Sequence, residues 1–411
     1  MNGGPNMLYN DYTAKLLGLQ GVIVTNVEES TENLTIYAEM ERKPHNCPCC
    51  GTATRTIYDY RKQRIKDAPS RGKTVEIILR KRRYCCPHCG KKFYEETPFL
   101  PKFHRMTTRL VEYIIDKLRN ERSFTSVAKE TNLSVTTVIR IFDVITYPKM
   151  LHLPESLSID EFKGNTWGEK YQCIITDPVQ KTVLDILPER YSYYLSQYFN
   201  RYPKDERNQV KFFVSDMWRT YSDISDNWFK NAIKIVDKYH WIRQAIWAFE
   251  KIRKEEQKKL GAEIRKYFKR SKSLLMKRFD SLRDEEKQQV NVMLYMSVNI
   301  SRAHWYKEKF LQILDCKNPD ESKETMINWI RNAENCGLKP FEKCAQTMKN
   351  WFTGIINSFY SPITNGFTEG CNNKIKVLKR NAYGYRNFNR FRNRILHIFS
   401  HQKLNIQQAA T

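Results

Sequence analysis

Residues 210–237 read VKFFVSDMWRTYSDISDNWFKNAIKIVD. Two apolar runs, VKFFVS and AIKIV, each end on an aspartate, Asp216 and Asp237. Runs of that length without polar alternation fit strands covered on both faces. Upstream, LSIDEF (157–162), YQCIITD (171–177) and TVLDIL (182–187) are three short strand candidates with tight connections. YSYYLSQYFNRY (191–202) reads as a helix, and YHWIRQAIWAFEKIRKE (239–255) resumes helix after Asp237.

Three strands, then helix, strand, helix, strand and helix, is the order of an RNase H-like domain, a mixed sheet with helices on both sides. Asp160 lies within the first strand and Asp216 terminates the fourth. Central neighbouring strands would bring these carboxylates close. Two like charges held together are costly unless a cation sits between them. Hard oxygen ligands of this kind suit Mg²⁺. In a two-metal site, shared carboxylates serve an attacking and a leaving oxygen. For any single aspartate at a strand end, turn chemistry is the commoner role. Asp177, followed by Pro178, is assigned to such a turn.

The chain has 411 residues, enough for roughly two to four domains. Lys and Arg number 70 against 45 Asp and Glu, a formal charge of +25. The excess is uneven: residues 41–110 hold 18 basic against 6 acidic residues, and no acid follows Glu369. Such clustering favours a polyanionic partner, nucleic acid, over a merely soluble basic protein. No apolar run is long enough to cross a bilayer, and the amino-terminal MNGGPNMLYN is no secretory signal. Metal-type cysteine spacing points to a reducing compartment with a metal site.

Toward the amino terminus, GVIVTNV and NLTIYAEM around ESTEN form a hairpin pattern within 20–41. CPCCG (47–51) and CPHCG (86–90) are two knuckles of matching form. Cys47, Cys50, Cys86 and Cys89 supply the four thiolates of a structural zinc site. Cys49 and Cys85 are adjacent spares that could take their place. The 35 residues between the pairs hold two strand-like runs, TRTIYDYRKQRI and KTVEIILRKRRY, a second hairpin that could join the knuckles. Residues 107–146 read as helical throughout. In SFTSVAKETNLSVTTVIRIFDVI, Ser123 and Ser134 fit helix N-caps around an Asn132-Leu133-Ser134 corner. This is a helix-turn-helix pattern, with Thr136, Thr137 and Arg140 as base readers.

Residues 361–387 read SPITNGFTEGCNNKIKVLKRNAYGYRN. Asn365 fits as the cap of a helix from 366 to Tyr383, ended by Gly384. Phe367, Cys371, Ile375, Leu378 and Ala382 make its apolar stripe. Glu369 lies off that stripe, and Lys376, Lys379 and Arg380 follow it. A solvated face explains this equally well in isolation. As a third metal ligand among cations that hold a nucleic-acid strand, the lone acid has a reason to be there.

LSIDEF, VSDMWRTY, DKYHWIRQA and the 361–395 segment, with the two knuckles and the helix-turn-helix, closely resemble the DDE transposases of bacterial insertion sequences, specifically the ISL-three family. The resemblance implies that Asp160, Asp216 and Glu369 are the catalytic triad and hold two Mg²⁺ (or Mn²⁺). It also implies DNA partners, the terminal inverted repeats and a target, and a homodimer or larger assembly. The 152 residues between Asp216 and Glu369 exceed a compact RNase H fold and imply a helical insertion near 251–350. The expected division is 1–104 (hairpin and zinc ribbon), 105–150 (helix-turn-helix), 151–250, 251–350 (insertion) and 351–411. Asp237 and His240 form D-x-x-H, resembling an element seen in several eukaryotic transposase groups; a helix cap with a satisfied histidine is the plainer reading. Trp218 could stack on an unpaired base or belong to the core. The alternative function is a repurposed, non-catalytic DNA-binding regulator.

Overall fold

A computed structural model describes residues 19 and 21–400, apart from 101–103, 167 and 271. The chain divides into two compact units. One comprises the described residues up to Pro148 together with those from Val377 on; the other is Lys149–Lys376.

In the first unit, β1 (Val22–Glu29) and β2 (Asn33–Met40) form the expected antiparallel hairpin. Two short strands, β3 (His45–Asn46) and β4 (Ala53–Thr54), flank the first cysteine knuckle. β5 (Ile57–Ser70) and β6 (Lys73–Cys85) pair as a long hairpin, and β7 (Lys92–Tyr94) adds to β6 beyond the second knuckle. The hairpin turns on Arg71 and Gly72, both at positive φ (53° and 77°), the geometry of a tight primed turn. β2 joins β6 in parallel, so the order is β1-β2-β6-β5. Val75, Ile77 and Leu79 alternate onto the buried face with Ile36, Ala38 and Ile65.

Three helices follow: α1 (Thr108–Lys117), α2 (Phe124–Glu130) and α3 (Val135–Asp143). Thr107, Ser123 and Ser134 each cap a helix through their side-chain oxygens. Val127, Ala128 and Val138 are buried as expected, while Leu133 and Ile139 are only half-buried. Phe124 and Phe142, ring centroids 5.5 Å apart, fill the centre instead.

In the second unit, β8 (Ser156–Thr166), β9 (Glu169–Asp177) and β10 (Thr182–Leu187) form an antiparallel meander. Asp177 does close a turn, its carboxylate accepting from the amides of Val179 (2.9 Å) and Gln180 (3.0 Å). Helices α4 (Ser192–Phe199) and α5 (Lys204–Asn208) lead to β11 (Phe212–Ser215), and α6 (Arg219–Trp228) leads to β12 (Ile233–Val236). β11 and β12 are parallel to β8, giving the order β10-β9-β8-β11-β12. Strand alternation sends Leu157 and Ile159 into a core with α4 and α6, which leaves Ser158 and Asp160 on the opposite face.

The 22-residue α7 (Lys238–Lys259) then opens a run of helices: α8 (Ala262–Arg270), α9 (Lys272–Met276), α10 (Asp284–Tyr295), α11 (Val298–Gln312), α12 (Pro319–Ala333) and α13 (Lys339–Asn350). Trp241, Phe310, Trp329 and Phe341 anchor their shared apolar core. Lys307 is fully buried and donates to the carbonyls of Leu275 (2.9 Å) and Lys277 (2.6 Å), tying α11 to the end of α9. α14 (Phe352–Tyr360) returns the chain to the sheet. Its Gly354 lies so close to β12 that an added Cβ would meet Val236 Cγ2 at 2.8 Å. α15 (Gly366–Asn381) carries Glu369, and the division between the units falls inside it.

The last helix, α16 (Phe388–Phe399), belongs with α1–α3. Its fully buried Arg394 donates to the carbonyls of Leu118, Asn120 and Arg122, and His397 Nε2 lies 2.7 Å from the Ile115 carbonyl. Residues 377–400 therefore group with the amino-terminal elements, where the sequence suggested one segment over 351–411. The cause is that the tail's cations are spent on backbone carbonyls and on Asp143, which pairs with Arg390 at 2.6 Å.

Gly354→Ala is expected to lower stability by about 1 kcal/mol. The helix gains ~1 kcal/mol from alanine, but overpacking against a stiff valine costs ~1–3 kcal/mol. Gly370→Ala, with nothing within 4 Å, is expected to raise it. Denaturant midpoints of the two variants should move in opposite directions.

Candidate active site and metal centres

The two knuckles fold alike. Gly51 and Gly90 sit at φ 74° and 69°, and their amides return to the Cys47 and Cys86 carbonyls at 2.9 and 3.0 Å. This brings Cys47, Cys50, Cys86 and Cys89 together with all four Sγ atoms within 4.8 Å of one another. Cys47–Cys89 and Cys50–Cys86 are 3.6 and 3.5 Å apart. A tetrahedral Zn–S₄ site has edges of ~3.8 Å, so the donor set fits zinc. Contacts with Thr52 hold the Cys50 thiol down, to about 5, whereas its three neighbouring thiols push Cys89 up to about 12, so the fit to zinc rests on the geometry of the four sulfurs. Cys49 and Cys85 stay outside this set; Cys85 Sγ lies near the carbonyls of Cys86 and Gly90 instead.

The carboxylates are placed by strand register. Ser158, Val214 and Ile235 are aligned across β8, β11 and β12. Two residues further along each chain, on the same face, stand Asp160, Asp216 and Asp237. Asp160 Oδ1 accepts from the Glu161 amide at 2.7 Å, and Asp216 Oδ1 from the Trp218 amide at 3.0 Å. Burial pushes Asp160 up to about 7, with the Asp216 charge adding to it. Burial pushes Asp216 up to about 6, opposed by His240. Buried carboxylates gathered on one face of the sheet, only partly offset by backbone amides and His240, are the electrostatic signature of a cation site.

α15 is held on this face by a buried polar column. Asn372 Nδ2 donates to Asp160 Oδ2 at 2.8 Å and to the Glu161 carbonyl at 3.3 Å. The Thr368 hydroxyl contacts those of Ser158 (3.1 Å) and Thr176 (2.8 Å). Ser158 donates to the Asn365 side-chain carbonyl. Asn365 is thus not a side-chain cap, because its amide is drawn into the sheet. The helix also stops at Asn381, before Tyr383, with the Gly384 amide closing on the Lys379 carbonyl at 2.9 Å.

Glu369, half-buried one residue after Thr368, meets Asp237 and His240, and a ligand atom from each lies within 4.8 Å of the others. Its carboxyl is raised by burial and by the Asp237 charge. Asp237 holds the N-cap position of α7; the backbone amides of Asn365, Tyr239 and His240 draw on its carboxylate without a cap bond of full geometry, and its Oδ2 is buried without a partner. The cluster fits a divalent cation, since it offers an orphaned buried oxygen and two further donors.

Trp218 packs against the core of α4 and α6, with Arg190 over its ring at 4.5 Å. Arg190 also covers Tyr171 and pairs with Glu161 at 2.6 Å, neutralising the acid next to Asp160. Thr368, Asn372 and Arg190 escaped the sequence reading, and Asn365 entered it only as a helix cap. The i, i+3, i+7 spacing of 365, 368 and 372 is the signal that could have joined Thr368 and Asn372 to it.

In the helix-turn-helix, Thr136 and Arg140 are exposed and Thr137 half-buried, with both threonine hydroxyls within 3.0 Å of the Ser134 cap. Lys376 and Arg380 are exposed on α15, and Lys379 is half-buried. No described helix is long and apolar enough to cross a membrane.

Comparison with known proteins gives a consistent picture. A family model described as a transposase, of the DDE type of family ISL3, matches residues 157–395. The helix-turn-helix domain of transposase family ISL3 matches 95–145, and the zinc-finger of transposases IS204/IS1001/IS1096/IS1165 matches 43–89. The transposase for insertion sequence element IS1001 of Bordetella parapertussis is 25% identical over 391 residues, 92% of this chain and 96% of the relative. That for IS1557 of Mycobacterium tuberculosis is 20% identical over 253 residues, 56% of each chain.

Purified chain is expected to carry one zinc at the cysteine cluster, measured by metal analysis. Cys86→Ser should lose it, while Cys49→Ser should retain it.

Proposed function

The chain belongs to the ISL3 family of DDE transposases, and from that premise we propose that it binds the terminal inverted repeats of an insertion sequence and performs Mg²⁺-dependent cleavage and transfer of DNA strands. The observation that carries this reading is the alignment of Asp160 and Asp216 across adjacent strands beneath the helix of Glu369. In this reading Asp160, Asp216 and Glu369 hold the divalent cations. The bound cations would supply Lewis acidity to the attacking and leaving oxygens of the phosphodiester.

The chain's own residues do the positioning. Asn372 fixes one oxygen of Asp160 and the Glu161 amide fixes the other, so this carboxylate keeps one orientation. Arg190 occupies Glu161, leaving it less able to compete for the cation. Lys376, Lys379 and Arg380 continue the Glu369 helix as a phosphate-attracting segment, and Thr136, Thr137 and Arg140 face the major groove of a terminal repeat.

The strand order supports an RNase H-like sheet: an antiparallel meander with two further strands added in parallel beside its first. The helices α8–α13, which share a core with α7 and α14, are then the insertion that separates Asp216 from Glu369. The working form is a homodimer or larger assembly that holds two element ends at once.

Full-length protein is expected to nick a labelled terminal repeat only with Mg²⁺ or Mn²⁺. Asp160→Asn should reduce nicking at least ~10³-fold and leave the gel shift of the repeat unchanged. Nicking at the wild-type rate by that variant would reject the assignment. Specific binding with no cleavage by the wild-type chain would favour a DNA-binding regulator.

A further inference from the structure

We propose that Asp237 and His240 join Glu369 in a mixed nitrogen–oxygen cation site, which favours a first-row transition ion over Mg²⁺ and takes Mn²⁺. Three independent features lead there. The ligand atoms of the three side chains converge within 4.8 Å, one of only two such groups among the described residues, the other being the four cysteines. Asp237 is 6% exposed; backbone amides of Asn365, Tyr239 and His240 approach its carboxylate, but its Oδ2 has no hydrogen-bond partner. A buried carboxylate oxygen left unpaired is costly unless a ligand takes it. The nearby Asn365 is fully buried with its amide nitrogen likewise unpartnered, so the polar environment is incomplete in the protein alone.

The donors set the ion. Two carboxylates and a neutral imidazole carry two negative charges, matching a divalent cation. Mg²⁺ prefers oxygen donors and keeps its waters. An imidazole nitrogen shifts preference toward the first-row transition ions; Mn²⁺, at the weak end of that order, shares the oxygen preference of Mg²⁺ and serves here as the paramagnetic probe. The local fold fixes the geometry: Asp237 ends β12, His240 follows one turn into α7, and Glu369 arrives from α15. Asp237 and His240 lie at i and i+3, on one face of the helix start.

The inference deepens the reading of Glu369 as a cation ligand but does not rest on DNA cleavage. The test uses the zinc-loaded full-length chain without DNA, with Mn²⁺ as the probe followed by electron paramagnetic resonance. Wild-type protein and Asp160→Asn are expected to show pulsed-echo modulation from a directly bound imidazole ¹⁴N. His240→Gln should lose that modulation and bind this Mn²⁺ at least ~10-fold more weakly. Glu369→Gln, a change at a half-exposed position, should weaken it similarly if the histidine variant fails to fold. Absence of ¹⁴N modulation in the wild type, or its persistence in His240→Gln, overturns the site. A chain that shows the nitrogen coupling yet never nicks DNA would sink the cleavage reading alone. One that nicks without the coupling would sink this inference alone.

Discussion

The constraint on which the second unit depends is the repulsion among carboxylates at one end of one face of its sheet. Parallel pairing of β8, β11 and β12 sets Asp160, Asp216 and Asp237 level with one another. Left to themselves, such charges oppose folding, and burial raises the proton affinity of all three. The surrounding structure reads as a set of answers to that problem. Backbone amides take one oxygen of Asp160 and one of Asp216, Asn372 takes the other oxygen of Asp160, and Arg190 removes Glu161 from the contest. What is left unanswered, the free oxygen of Asp237 and the carboxylate of Glu369, lies where a cation would complete the arrangement.

Helix α15 is docked differently from the other helices of that unit. α4 and α6 meet the sheet through leucine, tyrosine and phenylalanine side chains, and burial of that apolar surface holds them. α15 meets β8 and β9 through hydroxyls and amides. Each such bond contributes only about 1 kcal/mol net, but leaving one unmade costs more, so the seam favours a single register. A register error of one residue would turn Glu369 away from His240. The close approach at Gly354 serves the same end, because α14 and β12 together set the height at which α15 begins.

The first unit solves a different problem. Its sheet core is modest, and β5 carries exposed Arg, Lys and Tyr side chains beside the exposed Arg80 of β6, with Arg80 over Tyr60 at 3.9 Å and Arg83 over Tyr58 at 4.7 Å. Two matching knuckles pin the far end of that hairpin, where apolar burial is thin. Around α1–α3, the buried Arg394 spans three carbonyls left open after α1, and the rings of Phe124 and Phe142 lie 5.5 Å from its guanidinium. The basic carboxy-terminal segment is therefore in part a structural brace and only in part a surface for a polyanion.

The sequence by itself determined the local elements. Paired apolar runs gave β11 and β12, hydroxyl caps gave α2 and α3, and the knuckle spacing gave the four cysteines, because each signal is carried by residues near in the chain. It also singled out Asp160, Asp216 and Glu369, through their setting on strand, strand end and helix. Which acids share ligand distance was a matter for the tertiary structure alone. Glu369 meets Asp237 and His240, residues 129 or more positions earlier in the chain, and no periodicity encodes that meeting. The polar column of Asn365, Thr368 and Asn372 was likewise invisible as an anchor: its meaning comes from the sheet hydroxyls and Asp160 it faces, and those partners lie nearly 200 residues or more away.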